Sequence, residues 1–307
     1  MSMSKWKADQ IPDLSGKVII VTGANTGIGF QAAQEFARKG AECILACRNE
    51  KKGHTAVSNI QKRIPEARVR FLQLDLGSIK SVHLFAENVN KHYSRLDILL
   101  NNAGIIWYPY RTTEDGFESQ IGINHLGHFA LTGLLLGLIE KTEGARVVLV
   151  SSIGHRLGRM DFDNFLYKGG KGYSRAGAYG RSKLANLLYT YELNRRFRKA
   201  DIHALAVAAH PGYSYTDFGR RSLFRSLRFI FYPLIVLLTQ SSSMGALPSL
   251  RAAVDPEVNG GDYFGPGGIG ERKGYPVQVE SNEASHNEED ARKLWEISEE
   301  LCGVKYL

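Results

Sequence analysis

The stretch Val18-Ile19-Ile20-Val21-Thr22-Gly23-Ala24-Asn25-Thr26-Gly27-Ile28-Gly29 decides the fold. Four apolar, mostly β-branched residues in a row read as a strand buried on both faces. The run passes straight into a Gly-x-x-x-Gly-x-Gly turn. A helical pattern follows at once, with Ile28, Ala32, Ala33, Phe36 and Ala37 on one face. Glycine is needed in such a turn because the chain must bend tightly and let a phosphate approach its backbone. The helix that starts there offers free N–H groups and the positive end of its dipole to that anion. Gly23, Asn25, Thr26, Gly27, Ile28 and Gly29 are therefore the expected pyrophosphate cradle of a dinucleotide.

Outward from this unit, residues 43–46, 69–74, 98–100, 146–150 and 202–207 read as further strands. Helical patterns separate them: a polar one ending near Ile60, then long ones over 114–141 and 178–198. Such alternation predicts an α/β fold, a single-domain Rossmann-type doubly wound parallel sheet with helices on both faces. No linker, repeat or low-complexity tract interrupts it, so residues 1–307 are expected to form one domain. Within it, 1–16 is a leader segment and 213–238 a substrate flap. A short last strand is expected at Tyr263-Phe264 inside the glycine-rich stretch 260–274, and a charged helix over 288–301.

A net charge of +8 raises the question of an acidic partner. Its lysines and arginines are spread along the chain without a nucleic-acid-binding motif, so we expect no nucleic-acid partner and read the charge as solubility and local anion capture. The three cysteines, Cys43, Cys47 and Cys302, form no CxxC pair. Neither a disulfide framework nor a zinc site is expected, and a reducing, cytoplasmic setting fits. Residues 1–16 lack the apolar core of a signal peptide. No run of about 18 apolar residues predicts a membrane-spanning helix.

The end of the second strand reads Cys47-Arg48-Asn49. An acid there would hold a ribose 2′-OH, whereas a cation suits a 2′-phosphate. Arg48 therefore points to NADP(H) rather than NAD(H). Asp75-Leu76, ending the third strand, is placed for the adenine. Asn101-Asn102-Ala103-Gly104, ending the fourth, is placed to wall the adenosine ribose, with Asn102, Ala103 and Gly104 in contact.

Tyr179 and Lys183 stand four residues apart at the start of a long helix, hence on one face. A free tyrosine titrates near pH 10. A neighbouring ammonium lowers that value and makes the phenol a usable proton donor. Ser151-Ser152 end the fifth strand, and Asn124 lies on the preceding helix.

With Thr22–Gly29, Asn101–Gly104, Asn124, Ser152, Tyr179, Lys183 and His210-Pro211-Gly212 in this order, the chain resembles the short-chain dehydrogenase/reductase family over nearly its whole length. The resemblance implies an active site in which Tyr179 is the acid/base. Ser152, at the second of the two serine positions, would hydrogen-bond the reacting oxygen. Lys183 would lower the tyrosine pKa and hold the nicotinamide ribose, and Asn124 would kink its helix and help a water reach Lys183. Pro211, Gly212 and Thr216 would seat the nicotinamide carboxamide. Tyr179 lies 179 − 152 = 27 positions after Ser152, roughly twice the family's commoner spacing. The extra segment, 154–176, is similar to that of the retinol-dehydrogenase-like branch, as are Ala46-Cys47-Arg48, Thr113–Glu118 and Ser182–Asn186. The light-dependent protochlorophyllide reductases share several motifs. They usually carry cysteine after Pro-Gly, where this chain has Tyr213.

The implied activity is hydride exchange between a nicotinamide and a carbonyl or alcohol. A non-catalytic NADP sensor on the same fold is the alternative, although it has no need of the intact tyrosine, lysine, serine and asparagine. His125 and His128 lack a third ligand, so no metal is expected. Trp107, Tyr108, Tyr110, Tyr213, Tyr215 and Phe218 favour a lipophilic retinoid-, steroid- or long-chain-aldehyde-like substrate; loop packing is the other reading. In 220–238 four arginines precede ten apolar residues broken by Pro233. This segment reads either as a lid with peripheral membrane contact or as one packed inward, against its own protein or a partner in a homodimer.

Overall fold

Residues 5–213 and 239–307 are described by this computed structural model. Along the chain they run β1 (Val18–Thr22), α1 (Gly27–Arg38), β2 (Glu42–Cys47), α2 (Glu50–Arg63), β3 (Val69–Gln73), α3 (Ile79–His92) and β4 (Ile98–Asn101). Then follow α4 (Ser119–Ile121), α5 (Gly127–Leu134), α6 (Leu136–Glu140), β5 (Ala145–Val150), α7 (Arg175–Lys199) and β6 (Ala204–Ala209). The last elements are α8 (Ser242–Val254), β7 (Tyr263–Pro266), β8 (Pro276–Gln278) and α9 (Glu288–Cys302).

The strands form one sheet in the order β3-β2-β1-β4-β5-β6-β7-β8. Every pair is parallel except the β7–β8 hairpin. Alternate residues of β1 feed two separate cores, as a period of two requires. Ile19 and Val21 pack with α1, α2 and α8 on one face. Val18 and Ile20 pack with α3, α5, α7 and α9 on the other. The expected doubly wound sheet with helices on both faces is thus observed. Trp6, Ile11 and Leu14 of the leader segment are buried in the first of these cores.

Four local features differ from the sequence reading. Residues 114–141 are not one helix. Thr112 and Glu118 pair across a turn containing Gly116 at φ +83°, and α4 begins only after it. The Glu118 carboxylate accepts the Gln120 and Ile121 amides, which starts the helix there. A π-helical turn (Gly122–Leu126) and a break at Leu135 divide the remainder. The sixth strand starts two residues later than expected, because the Ile202 amide still closes α7 by donating to Phe197 O. The antiparallel β8 has only three residues and no alternating pattern to mark it. Pro248 inside α8 hides that helix from a propensity reading.

Asp97 fastens the bottom of the central strands. Its carboxylate accepts the Val18 amide at 2.9 Å and the Arg95 guanidinium at 2.6 and 2.8 Å, and pairs with Lys17 at 3.0 Å. Burial alone would raise its pKa; the bonds from Arg95, Val18 and Lys17 outweigh it and hold the carboxyl below its usual range. Lys17 and Arg95 keep their outer atoms in solvent, so the pairs count for less than their geometry suggests. Asp97→Asn should cost about 2 kcal/mol at pH 7. A group favoured as its anion in the folded state contributes fully above its unfolded pKa, and the contribution is lost as pH falls through the folded value. Urea denaturation should therefore show the full wild-type advantage at pH 7 and a smaller one at pH 3, below the unfolded value. An equal gap at both values would remove Asp97's ionisation from the account.

Candidate active site

In this sheet the chain winds outward from β1 in one direction and from β4 in the other, leaving a crevice at their carboxyl ends. The glycine loop fills the β1 side. Gly23 and Gly27 have φ of +68° and +62°, a region that side chains disfavour. A Cβ on Gly29 would lie 2.5 Å from Asn102 Nδ2 and 2.8 Å from Gly23 O, so α1 packs on the loop only because the residue is glycine. The side chain of Thr26 does not cap α1, whereas Asn49, Ser78, Ser174, Ser241 and Asn287 cap α2, α3, α7, α8 and α9. An open N-terminus beside close-packed glycines fits a pyrophosphate.

Asn102 faces inward: its Nδ2 donates to Thr22 O at 2.8 Å, and its amide and that of Ala103 donate to Thr22 Oγ1, both at 2.9 Å. It braces the glycine loop from β4. Gly104, next to it, is exposed. Arg48 leaves the end of β2 with most of its side chain in solvent; its Nε is 3.9 Å from Asp75 Oδ2. The other Asp75 oxygen accepts the Gly77 amide at 2.9 Å. Leu76 is buried in the core. Burial pushes the Cys47 thiol up to about 11, with the Ala24 and Asn25 amides opposing, so this sulfur backs the loop as a neutral group.

On the β4–β5 side four elements converge. Asn124 sits in the π-helical turn, with Oδ1 accepting the Ile105 amide at 2.8 Å and Nδ2 donating to Ile105 O and to Ser182 Oγ. A Cβ on Gly104 would lie 3.1 Å from Asn124 Oδ1 and 3.5 Å from Lys183 Nζ. Lys183 Nζ donates to Val150 O at 2.9 Å and stands 5.8 Å from the centre of the Tyr179 ring. A Cβ on Gly154 would touch that ring at 2.8 Å and approach Ser152 Oγ to 3.4 Å. Tyr179, Ser152, Lys183 and Asn124 therefore surround one space. The two serines differ: Ser151 is buried and donates to Lys183 O at 2.8 Å, whereas Ser152 is only partly buried.

A profile described as short chain dehydrogenase matches residues 17–223. The chain belongs to the short-chain dehydrogenase/reductase family. Mouse retinol dehydrogenase 12 is 41% identical over 97% of this chain and 89% of its own length. Human retinol dehydrogenase 13 is 40% identical over 95% and 86%. Among solved structures, an uncharacterised protein of Mycobacterium paratuberculosis superposes with a TM-score of 0.82 at 36% identity, covering 99% of this chain and 100% of its own. A Shigella flexneri short-chain dehydrogenase complexed with NADP gives a TM-score of 0.60 at 26% identity, over 83% and 98%. The resemblance to the retinol-dehydrogenase-like branch holds. The protein is an oxidoreductase acting on alcohol or carbonyl groups with a nicotinamide cofactor.

The segment 154–176 is held by a residue that the sequence reading missed. Arg181, inside the Tyr179–Lys183 spacing, is buried. Its guanidinium donates to the carbonyls of Arg159, Asn164 and Phe165 and lies 4.0 Å over the Tyr167 ring. Tyr173 Oη then donates to Tyr108 O at 2.6 Å, and the Tyr173 ring meets Tyr110 edge-on. Trp107 and Tyr213 are exposed. Pro211 and Gly212 follow β6, with Gln240 Nε2 donating to Pro211 O at 2.7 Å. Thr216, Tyr215, Phe218 and the segment 220–238 lie outside the described residues. Among the described helices none is long and apolar enough to cross a membrane. His125 faces Ser298 Oγ at 2.9 Å, and His128 faces Thr22 Oγ1 at 2.9 Å and Asn124 O at 3.1 Å.

Gly29→Ala should raise the dissociation constant for the dinucleotide by about tenfold or more, since either Asn102 or the phosphate-facing loop must give way. Titrating cofactor fluorescence against the variant measures it, and unchanged affinity would mean that the loop does not hold the phosphates.

Proposed function

We propose that the protein transfers hydride between NADP(H) and a lipophilic carbonyl or alcohol, with Tyr179 as acid/base. The observation that carries this reading is the convergence of Ser152, Tyr179, Lys183 and Asn124, from three separate chain segments, on one space beside the crevice. The bound cofactor would supply or accept the hydride. For reduction, Ser152 Oγ would donate to the carbonyl oxygen and localise its developing charge. The Tyr179 hydroxyl would give that oxygen its proton as the carbon becomes an alcohol carbon. Lys183, fixed by Val150 O, would keep its positive charge beside the phenolic oxygen and favour the tyrosinate left behind. Asn124 would hold Ile105 and Ser182, and so the loop and helix that frame the space.

Arg48 at the end of β2, where an acid would instead hold a ribose 2′-OH, supports NADP(H) over NAD(H). The half-buried tyrosines 108, 110 and 173 and exposed Trp107 support a lipophilic substrate, as do relatives named retinol dehydrogenase. Asp75, Leu76, Asn102, Ala103 and Gly104 would line the adenosine side, and Pro211 and Gly212 the nicotinamide side.

Incubation with NADPH and all-trans-retinal, nonanal and a steroid ketone, following absorbance at 340 nm, tests the reading; cofactor binding without turnover would favour a sensor. Tyr179→Phe should lower kcat by about 10²–10⁴-fold while NADPH still binds. Arg48→Ala should weaken NADPH by about ten- to a hundredfold and NADH little. Equal losses would mean that Arg48 serves the fold. Ser152→Ala should lose turnover with only a small drop in melting temperature, from the lost bond to the Gly154 amide. Ser151→Ala should instead lose about 0.5–1.5 kcal/mol of stability, because it removes a buried hydrogen bond to the Lys183 carbonyl, which keeps its partner within the helix.

A further inference from the structure

The loop between β7 and β8 reaches back over the end of β6. Glu271 within it adopts φ +56°, a left-handed conformation that residues other than glycine seldom hold without a reason. Its carboxylate is divided between two partners. One oxygen accepts Arg156 Nη2 at 2.7 Å, and the other lies 2.9 Å from His210 Nε2. His210 is wholly buried, and its Nδ1 accepts the Gly212 amide at 3.2 Å. A neutral ring with Nδ1 occupied as acceptor carries its proton on Nε2, so His210 donates to Glu271. β7 makes room for this ring with Gly265, whose Cβ would collide with Nε2. Arg156 belongs to the turn that begins at Ser152, and neighbouring His155 donates from Nδ1 to Ser152 O. The Arg272 carbonyl accepts the Tyr213 amide at 2.8 Å, so the same loop also holds the chain just past Pro211-Gly212.

We propose that Glu271 is a positioning residue whose single carboxylate clamps the Ser152 turn to the Pro211–Gly212 turn. It thereby sets the separation between the hydroxyl that meets the substrate oxygen and the turn that seats the nicotinamide. The inference rests on the roles proposed above for Ser152, Pro211 and Gly212. A bridging carboxylate suits the task because Arg156 requires a charge and His210 an acceptor, and one group satisfies both. Glu271 touches neither reacting partner in this role; its effect passes through the two turns. The adenosine half of the crevice, built from β1, β2 and β3, lies outside its reach.

The test compares Glu271→Gln, Arg156→Gln and the double variant with wild type. Arg156 is about half exposed, so its variant keeps the fold even where a change at 271 does not. Glu271→Gly provides a control that relieves the left-handed backbone while removing the carboxylate. The expected result is a kcat for NADPH-dependent nonanal reduction lowered by about ten- to a hundredfold in each single variant, the scale of a sub-ångström to ångström misplacement. NADPH affinity should change by less than about threefold, because the adenosine and phosphate contacts remain. The double variant should be no worse than the poorer single one, since both break one clamp. Hydrogen exchange in residues 152–158 and 210–213 should rise in all variants and stay level in β1–β3. Unchanged exchange in those two segments, multiplicative losses in the double variant, or a Glu271→Gly protein with wild-type kcat would overturn the proposal. Tyr179→Phe and Ser152→Ala separate the two claims. If they abolish turnover and the clamp variants do not, the clamp alone fails. If they retain it, the catalytic reading fails, and the exchange data still decide whether the two turns are joined.

Discussion

The hydroxyl of Thr22 is the point on which both halves of the site depend. It ends β1, accepts the amides of Asn102 and Ala103 from the loop after β4, and lies 2.9 Å from His128 Nε2. His128 is fully enclosed, and burial pushes its pKa down to about 4, so the ring is neutral at physiological pH. Its Nδ1 faces the Asn124 carbonyl, which can only accept, so the ring proton lies there. Nε2 is then an acceptor, and Thr22 donates to it. The chain of bonds has one direction only: amides of 102 and 103 to Thr22, Thr22 to His128, His128 to Asn124. A cradle assembled from β1 and β4 is thereby tied to the π-helical turn that holds Asn124. From Asn124 the network passes through Ser182 to the Tyr179 carbonyl. Replacing any member leaves a buried polar group unmatched, which in a low-dielectric interior is costly.

The architecture was legible because its strands are short apolar runs and its first turn is chemically constrained. Strands 18–21, 43–46 and 98–100 are buried on both faces, and a doubly covered sheet leaves that imprint. Periodicity failed where local hydrogen bonding overrode it. Residues 114–141 look helical by their apolar spacing, yet the Glu118 carboxylate and Gly116 place the start at Ser119. The π-helical turn leaves no mark in the apolar spacing, and only the family resemblance, through Asn124, implies a kink there. The strand at 263–264 was expected, but its partner β8 escaped: it has only three residues, and the hairpin closes tightly at Gly267, where a Cβ would lie 2.9 Å from Val277, rather than by alternation.

At the site, the sequence singles out residue types where the proposed chemistry admits few substitutes. The glycine loop, the tyrosine–lysine spacing and the basic end of β2 each reflect such a restriction. What sequence could not show was commitment. Ser151 and Ser152 are chemically identical, and only the fold reveals that the first is spent on Lys183 O. Asn102 likewise gives its side-chain amide to Thr22 O, a bond that spacing alone does not reveal. Glu271 and Arg156, 115 positions apart, meet only because the β7–β8 loop folds back over β6.

Arg181 shows how the two kinds of restriction meet in one helix. A buried guanidinium costs several kcal/mol unless its donors are satisfied. Among the described residues the carboxylate within 4 Å, Asp161, is 3.9 Å away and half exposed, which is too weak a partner to account for the burial. Three backbone carbonyls and the face of Tyr167 take its place. Lysine could not reproduce this, since it lacks a planar fork of donors and stacks poorly. The 154–176 insert is therefore not a loose addition to the family fold. Its carbonyls are what make Arg181 tolerable in the core, and Arg181 is what holds them against the helix carrying Tyr179 and Lys183. Through the bond from Tyr173 to Tyr108, the loop after β4 is drawn into the same arrangement. The segment carrying Tyr108 and the helix carrying Tyr179 and Lys183 are thus joined through the insert, and the join rests on a single arginine's geometry.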